Sequence, residues 1–453
     1  MTEEKSIIQK AEEELKKRYT RNMAVASSNL CVHCGMCIDQ CHYHMATGDP
    51  KVSPVAKAEH IRKVMKKEHD WLRRIFPRWV GAGELTEEGL DRWVDAAFRD
   101  CTLCQRCIVN CPMGVDTPLV MATARGVLNA IGKSPEILRE LADAAISREE
   151  NMEFFKEFYL EQIKSMEEEL QAKVGDPKAR IPIEVKGAQI LYVPLSGAHT
   201  IMPESEIFYH AGASWTISMF EASNYGVFLQ DPVRAKRIIE RIVKEAERLE
   251  VEEVVNTECG HAYATSRWEA PKWFDRPWKF KVRSILEVMD EYIRLGRVRL
   301  DPSRNKGISV TYHDSCNLGR NGGLFEEPRR ILRACVKDLR EMTPNRRQSI
   351  CCGGGGGLVA LADYDDARLK AGEPKARQIR ATGADTVVAS CDNCRHQLGQ
   401  LNEHYKLNVN VVGLAELMVN AIVPKKIPLG TEKTWAVSNG PSLEMSQVSG
   451  AQG

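Results

Sequence analysis

Cys101-Thr102-Leu103-Cys104-Gln105-Arg106-Cys107-Ile108-Val109-Asn110-Cys111-Pro112 is the stretch from which the chain is best read. In the spacing Cys-x2-Cys-x2-Cys-x3-Cys-Pro, three thiolates wrap one face of an iron–sulfur cube and the fourth reaches a neighbouring cube. The same spacing occurs upstream as Cys31-x2-Cys34-x2-Cys37-x3-Cys41. Two cubane [4Fe–4S] sites follow: Cys31, Cys34, Cys37 and Cys111 at one, Cys101, Cys104, Cys107 and Cys41 at the other. A pair of zinc sites is the alternative, but zinc takes two Cys-x2-Cys pairs set apart rather than triplets. Pro112 follows the second run, whereas His42 holds that place in the first. His42 and His44 are expected to be polar neighbours that raise a cluster's potential by hydrogen bonding.

The rest of the composition fits that reading. With 63 basic and 62 acidic residues the net charge is +1, which argues against a nucleic-acid binder. No apolar run reaches the ~20 residues needed to cross a bilayer. The longest, 187–203, is broken by Gln189, Pro194, Ser196 and Gly197. The first five residues lack the basic-then-apolar order of a secretory signal. A soluble, cytoplasmic protein is expected, and there fifteen clustered cysteines are metal ligands or redox groups rather than disulfides.

Pattern divides the chain further. Residues 1–25 read as an amphipathic helix, and 26–133 as the two-cluster domain with a helical insertion at 51–100. Residues 134–180 read as a helical linker ending near Gly175-Asp176-Pro177. From residue 187 short β-rich runs (189–194, 251–257, 308–313, 386–390, 409–412) alternate with helical ones (232–249, 367–382, 393–404). That alternation implies α/β units on a mostly parallel sheet. The runs also repeat: Ile190-Leu191-Tyr192-Val193 lies over Val310-Thr311-Tyr312-His313, and Val254-Val255-Asn256-Thr257 over Val387-Val388-Ala389-Ser390. Two related lobes, 187–300 and 301–425, precede a tail at 426–453. The fold class expected is mixed α+β: a helical two-cluster ferredoxin domain followed by two pseudo-repeated α/β lobes.

The second lobe carries the other constellation: Cys316, then Cys351-Cys352-Gly353, then Cys391-x2-Cys394. This pattern resembles the cysteine-rich CCG domain of heterodisulfide reductases, in the B subunit and in the D subunit that fuses it to a ferredoxin domain. It is similar too to the DsrK-like subunits of sulfate-reducer membrane complexes. The order of two ferredoxin motifs followed by paired CCG lobes extends the resemblance over nearly the whole chain. The resemblance implies that Cys316, Cys351, Cys352, Cys391 and Cys394 hold a noncubane [4Fe–4S] cluster at which disulfide chemistry occurs. It further implies a membrane cytochrome b partner of the DsrM kind that delivers (mena)quinol electrons, together with other complex subunits. The implied substrate is a small thiol/disulfide carrier protein of the DsrC kind, and the implied setting is anaerobic sulfur or sulfate respiration. The chain would then be attached peripherally, through a partner, to the inner face of the membrane.

Independently of the resemblance, the run Gly353–Gly357 lets backbone approach a bulky group. It is no Walker loop, because no Gly-Lys-Ser/Thr follows. In isolation Cys391-x2-Cys394 also fits a thioredoxin-like pair.

The first lobe departs from the motif. Ser196 stands where Cys316 would be, Asn224-Tyr225-Gly226 where Cys-Cys-Gly would be, and Cys259 alone remains. One cysteine cannot hold a cluster, so methanogen heterodisulfide itself is in doubt as substrate. Cys259 sits in Glu258-Cys259-Gly260-His261, and a thiolate beside an imidazolium is one reading of that turn. Cys259 and His261 are therefore candidate catalytic residues, with an inert buried thiol as the bland alternative. Cys335 is expected to be a packing residue.

The insertion interleaves Lys63, Lys66, Lys67, Arg73, Arg74 and Arg78 with Trp71, Phe76 and Trp79. A solvated helix with a buried aromatic stripe is preferred there to membrane docking. Of two wider readings, a thiol/disulfide oxidoreductase subunit comes first. An electron-wiring subunit without its own disulfide chemistry is the alternative.

Overall fold

The computed structural model describes residues 5–18, 30–69, 72, 75–147, 156–195 and 197–424. Residues 19–25, Trp71, Arg73, Arg74, the Arg78 side chain, Ser196 and the tail at 426–453 lie outside that description.

The N-terminal part is helical. Helices Ile7–Arg18, Pro54–His69, Glu87–Val94 and Thr117–Ala130 share one core that includes Leu15, Ile61, Met65, Leu90, Trp93, Phe98 and Met121. Thr117–Ala130 is its central rod. Asp116 caps it by accepting from Leu119 N–H at 2.9 Å, and Pro118 in its first turn costs no hydrogen bond. The segment between the cysteine motifs is therefore partly core, since Ala58, Ile61, Val64 and Met65 are buried. Its far end breaks the expected pattern. Phe76 and Trp79 are 55% and 79% exposed, so no buried aromatic stripe forms around them. The short helix Pro77–Val80 that carries Trp79 sets its ring against that of Phe76, 6.4 Å apart between centroids, instead of into the core.

The C-terminal part contains two four-stranded parallel sheets. In the first, β1 (Ile190–Val193), β2 (Trp215–Thr216), β3 (Glu253–Asn256) and β4 (Lys281–Ser284) lie in the order β2-β1-β3-β4. In the second, β5 (Ser309–Tyr312), β6 (Asp338–Leu339), β7 (Thr386–Val388) and β8 (Asn410–Val412) lie in the order β6-β5-β7-β8. The two orders are the same pattern, with β1 matching β5 and β3 matching β7. Both β1 and β5 are buried along their whole length, as strands covered on both faces must be.

Strands β2, β4 and β6 were not expected. Two of them are only two residues long, too short for a periodic signal. The helix expected over 367–382 is two helices, Asp365–Ala371 and Glu373–Thr382. Pro374 has no N–H to continue the first, and its ring suits the opening turn of the second.

Candidate iron–sulfur centres

Three cavities separate the cysteines into the three expected sets. The first, about 420 Å³, is lined by Cys31, Cys34, Cys37 and Cys111, with Cys107 at its edge. The second, about 380 Å³, is lined by Cys41, Cys101, Cys104 and Cys107 together with His42, Tyr43 and Lys57. The third, also about 380 Å³, is lined by Cys316, Cys351, Cys352, Cys391 and Cys394 with His261 and His313.

Local backbone explains the first two. His33 and Leu103, each one residue before a motif's second cysteine, have φ of 51° and 54°; Gly35 and Gln105, one residue after it, have 81° and 62°. Left-handed backbone is uncommon outside glycine and persists where a site demands it. Both motifs thus turn the same way twice, and the first three cysteines of each line one cavity.

The donor chemistry fits iron–sulfur clusters. Every cysteine is free, and all but Cys259 and Cys335 line one of the three cavities. Burial pushes the Cys107 thiol well above its ordinary value, a cost that a bound cation removes. In the third cavity crowded thiols share protons. Hydrogen bonds from Cys104 and Cys316 push the Cys351 thiol below its ordinary value, and one from Cys394 does the same to Cys391. Cys352 and Cys394 lie 3.4 Å apart, sulfur to sulfur. His42, next to the second set, has a buried Nε2 with no partner, as a donor to a cluster sulfur would.

The second and third cavities abut. The ligand atoms of His42, Cys104 and Cys351 all lie within 4.8 Å of one another, and Thr102 Oγ1 is 3.5 Å from Cys351 Sγ. The glycine run makes this approach possible: a Cβ on Gly355 or Gly356 would stand 3.2 or 3.1 Å from the Thr102 carbonyl oxygen. Arg125 locks the junction. It is fully buried and donates to the carbonyls of Ala97, Cys101, Phe228 and Gly356 at 2.6–3.0 Å, so one side chain ties the helical part to both lobes. Burial without a carboxylate pushes its pKa down to about 10.

The Glu258-Cys259-Gly260-His261 turn docks on the second lobe. Glu258 O accepts from Asp392 N–H at 2.9 Å, while its buried carboxylate accepts from Leu414 N–H and pairs with Arg395. Gly260 packs so close that a Cβ there would meet Ser315 Oγ at 3.0 Å. His261 lines the third cavity against Phe228, with ring centroids 4.8 Å apart.

Burial works against the thiolate–imidazolium reading of this turn. Burial lowers the His261 pKa to about 4 and raises that of Cys259. His261 Nε2 accepts from Asn224 N–H at 3.3 Å, so in the neutral ring the proton sits on Nδ1 and points at Cys259 Sγ, 3.3 Å away. The pair is a thiol beside a neutral imidazole.

His313 escaped the sequence reading. Both its ring nitrogens are buried without a partner, and one lies within 4.8 Å of the sulfurs of Cys352 and Cys394. Burial, with Lys375 nearby, pushes its pKa down to about 3. Its position three residues before Cys316 at a strand end was the available signal. Cys335 is wholly buried in the core, away from the three cavities. His44 lines none of the three cavities; its Nδ1 lies 4.0 Å from an Asp39 carboxylate oxygen.

Comparison with known proteins agrees with this layout. A "4Fe-4S dicluster domain" family matches residues 27–115, and a "Cysteine-rich domain" family, CCG, matches residues 310–399. An "Hdr-like menaquinol oxidoreductase iron-sulfur subunit 2" of Archaeoglobus fulgidus is 29% identical, over 87% of this chain and 80% of its own length. An Hdr-like menaquinol oxidoreductase iron–sulfur subunit of Archaeoglobus profundus is 27% identical, over 87% of this chain and 79% of its own. The D subunit of a dihydromethanophenazine:CoB–CoM heterodisulfide reductase of Methanosarcina acetivorans is 25% identical, over 86% of this chain and 93% of its own. Fold and site together define an iron–sulfur oxidoreductase component that transfers electrons through [4Fe–4S] clusters. More narrowly, the two family matches and these relatives support a protein similar to the D subunit of heterodisulfide reductase. Among the described residues no helix is long and apolar enough to cross a membrane.

Proposed function

We propose that this chain carries electrons from a quinol-linked membrane partner, a cytochrome b-type subunit, to a disulfide or trisulfide on a small thiol carrier protein. In this reading Cys31, Cys34, Cys37 and Cys111 hold one cubane, and Cys101, Cys104, Cys107 and Cys41 the other. Cys316, Cys351, Cys352, Cys391 and Cys394 hold the noncubane assembly. The observation that carries the reading is the approach of Cys104 to Cys351, which sets the second thiolate set against the third. Bound there, the cubanes supply one-electron storage, and the third centre supplies two-electron reduction of a sulfur–sulfur bond. Two electrons and two protons then convert one disulfide into two thiols, and the quinol, oxidised to quinone, supplies both.

The chain's own residues set direction and access. Cys34 is exposed and rimmed by exposed Val32 and Met36, so the first set faces solvent and suits electron entry. The third set is buried, with Cys316 the most accessible at 9%. His261 lines that space, and behind it the buried Cys259 thiol accepts from His261 Nδ1, a pair suited to handling a proton or a transient sulfur species. Membrane attachment through the partner follows from the quinol step.

Anaerobic purification should give a brown protein with about twelve iron and twelve sulfide per chain, four per cluster. It should reduce a disulfide with an artificial donor. About eight of each, without disulfide reduction, would favour the electron-wiring alternative.

A further inference from the structure

The second cavity contains a buried cation that the electron path described above does not use. Lys57 is 3% exposed, and its Nζ lies 3.5 Å from Cys41 Sγ. The same Nζ donates to the Asp100 carbonyl at 2.6 Å and stands 5.2 Å from the centroid of the Tyr43 ring. The Asp100 carboxylate is occupied by Arg99, through two hydrogen bonds of 3.0 Å. Lys57 forms no ion pair among the described residues. An ammonium group is not left in a protein interior without an anion. The anion facing Lys57 is the cysteine sulfur set, Cys41 first.

We propose that Lys57 sets the reduction potential of the second cubane, raising it by stabilising the reduced form. Taking up one electron adds one negative charge to the group bound by these four cysteines. A fixed positive charge hydrogen-bonded to one of their sulfurs favours that added charge, and the dry surroundings strengthen the effect. His42 Nε2 and Tyr43 Oη, both buried without a partner, face the same cavity and act in the same sense, but neither carries the charge. Lys57 therefore draws the electron to the set beside Cys351, the step from which it reaches the third cavity. The buried Arg62 lines the first cavity, so the two cubanes have to be titrated separately. The inference rests on Cys41, Cys101, Cys104 and Cys107 holding a cubane; it does not rest on the disulfide chemistry.

The test is a redox titration of the full chain, purified anaerobically and followed by electron paramagnetic resonance. The signal that Cys101→Ala removes is assigned to the second cubane. In Lys57→Gln, the ratio of reduced to oxidised second cubane at a fixed potential should fall at least tenfold, equivalent to a one-electron shift of about 59 mV. The first cubane should not move. Lys57→Arg, which keeps the charge, should stay within threefold of the wild-type ratio. An unchanged ratio in Lys57→Gln, with both cubanes intact, overturns the proposal. If Lys57→Gln assembles no second cubane, Lys57→Arg decides, and a tenfold change there overturns it. A wild-type protein with one cubane signal overturns the ligand assignment, and the proposal with it.

Discussion

The sulfur atoms of Cys104 and Cys351 lie within 4.8 Å of each other, although one belongs to the dicluster domain and the other to the cysteine-rich domain. The cysteine sets of the two cavities nevertheless remain distinct, so a change in one can be scored at each separately. Cys352→Ala should leave both cubanes in place, reduce the iron count from about twelve to about eight, and abolish disulfide reduction. Iron analysis with spectroscopy of the oxidised protein checks this. Retention of both the third centre and the activity would show that Cys352 is not a ligand.

Cys259→Ser should preserve all three centres while lowering turnover by roughly 10²-fold, the order of a lost acid–base group. Because burial holds His261 at about 4, the ring stays neutral as pH falls through the ordinary histidine range near 6.5. Turnover should therefore show no His261-dependent inflection there. An inflection near 6.5 that disappears in His261→Ala would contradict the neutral-ring geometry, and full activity in both variants would reduce the turn to packing.

Arg125→Met should be costly far beyond its position on one helix. It leaves four buried carbonyls short of a donor, each costing about 1–3 kcal/mol when stranded. A loss of at least about 3 kcal/mol is expected in anaerobic denaturant unfolding. A loss below about 1 kcal/mol would mean that the junction is held by packing alone.

Arg329 and Asp314 form a buried two-point pair, with both contacts at 2.8 Å, and Asp314 stands two residues before Cys316. Removing one partner of such a pair costs about 3–5 kcal/mol because the other charge stays buried. Arg329→Leu should lose that much stability and empty the third site before either cubane. Iron retention on mild heating measures the order.

The cysteine runs were legible because ligand spacing is local, and so were the paired lobes, because β1 and β5, like β3 and β7, carry matching apolar runs. Other features depend on distant neighbours. His313, Lys57 and Arg125 acquire their roles from elements far along the chain, and nothing beside them in sequence marks a buried charge as belonging to a cavity. The charge state of Cys259 and His261 is undecided by adjacency for the same reason: burial by distant neighbours is what favours the neutral pair. Phe76 and Trp79 alternate with basic residues as a packed helix would, yet the core is filled without them.

The seal between the glycine run and Thr102 bears on how the protein matures. All five thiols of the third cavity are 9% exposed or less, so a scaffold delivering iron and sulfide cannot touch them once Gly355 and Gly356 are seated. Loading has to precede closure, or the closed chain has to reopen. Metal-free protein given iron and sulfide should fill its solvent-facing site within the mixing time and its innermost site only at the pace of domain opening. Equal filling rates would show that the seal is no barrier.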